Sequence, residues 1–285
     1  SHDLAGILPY SLAMLPNCPV VSLLKCPYLS CIHADRPMRR KGSFFRKSDS
    51  KYVNRWRCKH CRRTVSSATY DPCFGQKKRR LNSVVKTLLA SGMSMRRIAL
   101  ALRIHRKTVE RKLEFLSEQG LLEHAEFLKT FEKVRVTQFQ FDEMETIEHT
   151  KLKPLSIALA VTEGTRKILG FTVSKMPATG LLAKKSVQKY GLRPDERPKG
   201  LETLFEQIKP IISEVAEIKS DQKPLYPIKV RKYFPKSTHI TTKGRRGCVT
   251  GQGELKRGGF DPLFSLNHTA RPRNQNVLLS ISWSI

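Results

Sequence analysis

Apolar and polar positions alternate through the centre of residues 134–145, which read Val-Arg-Val-Thr-Gln-Phe-Gln-Phe-Asp-Glu-Met-Glu. Residues two apart share one face of a strand, so Phe139 and Phe141 point one way while Gln138, Gln140 and Asp142 point the other. Two further apolar runs, 155–161 and 168–173, flank a turn of Thr-Glu-Gly-Thr-Arg-Lys, which predicts a three-strand meander. An amphipathic helix is expected over 199–215, with Leu201, Leu204, Phe205, Ile208 and Ile212 on one side and Pro210 bending it. A strand over 217–221 follows and ends in Asp221; then come a short helix over 223–233 and a strand over 237–242. If the two acid-bearing strands are neighbours, Asp142 and Asp221 can share a divalent cation; otherwise they are ordinary strand-end acids.

Upstream, the spacing changes to that of helices. Residues 81–90 form one that stops at Gly92, and Ser94 is placed to cap a second over 95–102, with Ile98, Ala99 and Leu102 inward. After a turn at 103–105, a helix over 106–116 puts Val109, Leu113 and Leu116 inward and Arg106, Lys107, Glu110 and Arg111 outward. Two short helices around a tight turn match a helix-turn-helix, whose second helix meets the major groove. Arg96, Arg97, Arg106, Lys107 and Arg111 are the candidate DNA-binding residues, the alternative being an αα-hairpin with a solvated basic face. Residues 118–133 read as a polar helical linker.

Charge sharpens this picture. The 285 residues carry a formal net charge of +29, which calls for a polyanionic partner. DNA or RNA fits better than an anionic membrane surface, because no polybasic segment is joined to an amphipathic or spanning helix, and no apolar run reaches the roughly 18 residues a spanning helix needs. Residues 4–24 are apolar but hold Pro9, Pro16 and Pro19 and lack a basic start, so they read poorly as a signal peptide. The chain opens on Ser1 rather than Met, as a fragment or an upstream extension would.

Seven cysteines, an odd number without a secretory signal, argue for a reducing compartment and for metal binding. Cys26 and Cys31, then Cys58 and Cys61, form two close pairs that suit a tetrahedral zinc site, with a basic hairpin between them. That is the pattern of a zinc ribbon; four unrelated buried thiols are the alternative. Cys18, Cys73 and His33 or His60 are spare ligands.

Three strands, a helix and a fourth strand, with an Asp on the first and fourth, follow the order of a ribonuclease-H-like fold. With the cysteine pairs, the helical block, Phe141-Asp142-Glu143-Met144-Glu145, Ser220-Asp221 and Leu266-Asn267-His268-Thr269, the chain resembles insertion-sequence transposases of the IS1 and IS1595 type over residues 25–269. The fold class expected is therefore multidomain α+β and α/β. It comprises an unassigned leader (1–24), a zinc ribbon (25–72), a helix-turn-helix (77–117), a linker (118–133), a ribonuclease-H-like mixed-sheet catalytic core (134–270) and an aberrant tail (271–285).

The resemblance implies a DNA transposase that binds element ends and target as a homodimer or higher oligomer, in the bacterial cytoplasm and at the nucleoid. It implies structural Zn²⁺ and catalytic Mg²⁺ or Mn²⁺, the latter held by Asp142, Asp221 and a third carboxylate, for which Asp261 is preferred over Glu254. His268 is either near the leaving phosphate or a helix-packing residue. The family continues past Asn267-His268 with a basic amphipathic helix. Here Arg271-Pro272-Arg273 breaks the pattern and an apolar run, 277–285, follows, as after a frameshift. The alternative function is a catalytically inactive remnant that still binds DNA.

Overall fold

The alternating stretch around Phe139 and Phe141 becomes the middle strand of a five-stranded sheet in the computed structural model, which describes residues 25–28, 30–32, 36–47, 50–243 and 261–270. The leader with Cys18, the spare ligand His33, Cys248, Glu254 and the tail lie outside the described residues. The chain divides into two compact units, Ser1–Val84 and Val85–Ile285. It is a mixed α/β protein whose larger sheet is itself mixed.

In the first unit β1 (Arg39–Arg46), β2 (Lys51–Arg57) and β3 (Thr64–Ser66) form an antiparallel sheet in that order. The register slips between Arg40 and Ser43, where Gly42 takes φ +88°, a left-handed conformation that costs glycine little. Side chains along β1 are almost all exposed, whereas Val53, Trp56 and Val65 of β2 and β3 are buried. The hairpin of β1 and β2 is therefore a basic arm resting on a small core.

The second unit is entered through α1 (Leu81–Ala90), which begins at the end of the first, and continues with α2 (Met95–Ala101), α3 (Arg106–Leu128) and α4 (Thr130–Lys133). Gly92, at φ +77°, and the bond from Met93 N–H to Leu88 O end α1 as its sequence foretells. Ser94 Oγ accepts from Arg97 N–H to cap α2, and His105 Nδ1 accepts from Lys107 N–H to cap α3. The stretch read as a polar helical linker is helical, but without a break from the helix before it: residues 118–128 continue α3 and 130–133 form α4. No proline interrupts this stretch, Gly120 is tolerated, and tertiary contacts hold the extension, with His124 Nε2 3.0 Å from Ile168 O and Leu128 against the core. Lys112, which helical spacing alone does not mark as inward, is buried in α3.

The sheet comprises β4 (Val136–Ile147), β5 (Pro154–Thr162), β6 (Ile168–Lys175), β7 (Ile212–Asp221) and β8 (Thr238–Thr242), in the order β6-β5-β4-β7-β8. The expected meander of β4, β5 and β6 is antiparallel, while β7 and β8 add in parallel. Between β6 and β7 lie α5 (Ala183–Tyr190), which sequence reading left unassigned, and α6 (Arg197–Ile208). The helix expected over 199–215 stops at Ile208, since Pro210 lacks a backbone donor and sits in a single 3₁₀ turn, and Ile212 already belongs to β7.

Leu201, Leu204, Phe205 and Ile208 of α6 bury one face of the sheet through Phe139, Phe141, Ala160 and Ile218. Gly200 permits this approach, because a Cβ there would collide with Ser174 Oγ on β6. After β7 comes α7 (Leu225–Tyr233), and Tyr226 and Val230 join the same core. The opposite face, through Ile157, Leu159 and Val161, packs on Leu266 of α8 (Phe264–Thr269).

Candidate metal centre and carboxylate site

Two short turns build the thiol cluster. Cys31 N–H bonds Tyr28 O in the first, and Cys58 N–H bonds Arg63 O in the second. The Arg63 guanidinium lies 4.6 Å over the Tyr28 ring and donates to Ser30 Oγ, tying the two turns together. Cys26 and Cys61 sulfurs are 3.7 Å apart, as are those of Cys31 and Cys58, and all four lie within 4.8 Å of one another. A tetrahedron around zinc with bonds of about 2.3 Å has edges of roughly 3.8 Å, so the donor set and its spacing fit such an ion. The cluster could therefore hold a metal such as zinc.

Electrostatics agree with that chemistry. Burial opposes ionisation of Cys58, but the N–H groups of Cys61 and His60 and the neighbouring thiols outweigh it and bring the group down to about 7. Burial, helped by the thiols of Cys61 and Cys58, pushes Cys26 up to about 12. Four thiols crowded this closely cannot all ionise without a cation to share. Cys73 stays outside the group, its sulfur accepting from Asn82 Nδ2, and His60 is not in it either.

The second site is assembled by strand pairing. β4 and β7 run parallel with Gln140 opposite Lys219, so two residues on along each strand Asp142 and Asp221 arrive at the same sheet end. Asp221 is pushed above the usual carboxylate range first by burial and then by the charge of Asp142, with Lys223 opposing. Asp142 Oδ1 accepts from Glu143 N–H at 2.7 Å, Tyr226 OH at 2.9 Å and Lys223 Nζ at 3.3 Å. Burial and the surrounding carboxylates raise the Tyr226 hydroxyl far above its ordinary value, which keeps it a donor.

Lys223 Nζ also lies 3.5 Å from Glu143 Oε2, and Asp221 Oδ1 accepts from Lys223 N–H. Sequence reading missed Lys223 and Tyr226. The spacing Asp221-x-Lys223-x-x-Tyr226, with the last pair three apart across the start of a helix, was the available signal.

Asp261 is used differently. Its Oδ1 accepts from Leu263 N–H and its Oδ2 from Asn267 Nδ2, so both oxygens fasten the first turn of α8. That turn is itself clasped by the buried Gln140, which donates to Pro262 O and accepts from Leu266 N–H, two residues before Asp142 on the same face of β4. Among the described residues, the four thiols are the only group of three or more His, Cys, Asp or Glu side chains with all ligand atoms within 4.8 Å. His268 contacts Arg166 in the β5–β6 turn, beside Gln138. Gln138 is four residues, or roughly 13 Å, from Asp142 along β4.

No protein-family model matches the chain, and no curated protein matches it significantly.

Arg106, Lys107 and Arg111 at the start of α3, and Arg96 and Arg97 on α2, all project exposed cations. No helix among the described residues is long and apolar enough to cross a membrane.

Proposed function

We propose that the chain is a DNA transposase of the insertion-sequence type, binding element ends and carrying out metal-dependent strand cleavage and transfer. The observation that carries this reading is the convergence of Asp142 and Asp221 on adjacent parallel strands, close enough for one to oppose ionisation of the other. The sheet order and its antiparallel-then-parallel sequence support a ribonuclease-H-like core. Two capped helices around a short turn support a helix-turn-helix, and the four thiols beside a basic hairpin support a zinc ribbon. Two ends must be held together for transfer, so a homodimer or higher oligomer, acting at the nucleoid, is part of the proposal.

Hard divalent cations take carboxylate oxygens and retain water and substrate oxygens, which suits the partly exposed Asp142 and Asp221. Asp142 and Asp221 would hold Mg²⁺ or Mn²⁺ there, and the ion would supply activation of the nucleophile and charge stabilisation at the leaving 3′ oxygen. The chain's own residues prepare the place. Tyr226 fixes the orientation of Asp142 through its hydroxyl, and Lys223 holds positive charge beside both Asp142 and Glu143, where an anionic phosphate approaches.

A catalytically inactive DNA-binding remnant is the second reading. It is favoured by Asp261, whose oxygens are both spent on α8 rather than offered to a cation.

Strand cleavage of a labelled duplex carrying the element end, with Mg²⁺ or Mn²⁺, tests the choice. Cleavage by the wild-type chain that is lost in Asp142→Asn supports the enzyme; duplex binding without cleavage by either supports the remnant.

A further inference from the structure

The first unit contains an open cleft of about 780 Å³ that is separate from the thiol cluster. The facing ends of β1 and β2, the turn after β3 and the basic connector before α1 form its walls. Five of its lining side chains are cations, Arg46, Lys47, Lys51, Arg79 and Arg80, against one acid, Asp71.

Three features make this more than a solvated basic surface. Arg46 and Lys51 are direct partners in the antiparallel ladder, and like charges placed opposite each other destabilise such a pair. Asp71 is already committed, with Oδ1 accepting from Cys73 N–H at 2.8 Å and Oδ2 3.6 Å from Arg79 Nη1. Arg79 Nη1 makes no hydrogen bond, so the distant Asp71 carboxylate does not saturate this guanidinium.

The geometry points to a phosphodiester-binding cleft, in which Arg46, Lys51, Arg79 and Arg80 take backbone phosphates of a DNA duplex. Guanidinium forks match phosphate oxygens in pairs, and the excess of four positive charges over one acid's compensation suits a polyanion better than a single carboxylate. This inference rests on the DNA-binding part of the proposed function and adds a contact region outside α2 and α3. A phosphate contact positions the protein on DNA without reading bases.

The test uses the full zinc-loaded chain, a short labelled duplex and a salt titration. Lys51→Gln/Arg80→Gln alters two exposed side chains and is compared with Arg106→Ala/Arg111→Ala. The expected result for the cleft variant is a log K against log salt slope shallower by about 2, since each neutralised phosphate contributes about 0.9. Affinity should fall about tenfold or more at low salt.

An unchanged slope, with zinc content and melting temperature retained, overturns the cleft. A loss confined to single-stranded RNA, with duplex binding untouched, overturns it as well. If the cleft variant loses slope and the α3 variant does not, the cleft stands and the helical reading falls. The converse leaves that reading intact without the cleft.

Discussion

The thiol cluster of the first unit and the carboxylate site of the second are assembled by opposite routes. Each pair of thiols comes from one short turn, so spacing along the chain already brings two ligands together. Asp142 and Asp221 are separated by two strands and two helices and meet only because β4 and β7 pair in one register. A one-residue slip would turn either aspartate to the other face of the sheet. The thiol site thus organises its own surroundings once a metal binds, whereas the carboxylate site depends on a core assembled mostly by residues outside it, Tyr226 being the one it shares.

The largest effect that would break this comparison is metal removal. Chelation, or Cys58→Ser, is expected to unfold the first unit, since structural zinc in small domains is worth roughly 10–16 kcal/mol. Hydrogen exchange should lose protection in β1, β2 and β3 while β4 to β8 keep theirs, and intact protein should carry about one zinc per chain. Retained protection in the chelated protein would mean four unligated thiols.

A smaller effect tests the carboxylate site. Tyr226→Phe removes the buried hydroxyl that Asp142 accepts from and leaves Glu143 N–H with one partner fewer. Urea unfolding should register a loss of about 1–3 kcal/mol at an unchanged m-value. No loss would make the hydroxyl a bystander.

The smallest change has the opposite sign. The fold raises the Asp221 pKa, so its protonated form is favoured on folding. Stability from this group is therefore greatest below the unfolded carboxylate value and falls as pH rises through the folded one. Asp221→Asn should raise the melting temperature by a few degrees at most near neutral pH and by nothing at low pH. Added Mg²⁺ should stabilise the wild type and not the variant. A variant less stable than wild type at neutral pH would remove the idea of a site kept at the expense of stability.

Legibility followed the range of the interactions. The hairpin between the cysteine pairs, the Gly92 stop, the Ser94 cap and the alternation in β4 depend on neighbours within a few residues, and all could be read directly. The length of α3 could not, because its second half is polar and is held by contacts with residues some forty positions away, such as Ile168. Nor could the end of α6, where an apolar periodicity ran on past Ile208 although Pro210 had already ended the helix. Asp261 is an exception to that rule, since its partners Leu263 and Asn267 are only two and six residues away, yet they claim its oxygens only once α8 forms.

The sequence by itself determined the charge, the spacing of the four thiols, the faces of the strands and the helix caps. These are properties of composition or of residues close together along the chain, where covalent geometry leaves few alternatives. Only the tertiary structure decided that Asp142 and Asp221 stand side by side, that Lys223 and Tyr226 support them, and that Gln140 clasps α8 beneath them. Those contacts join residues about 80 to 126 positions apart, and what fixes them is strand register and core packing rather than any local preference.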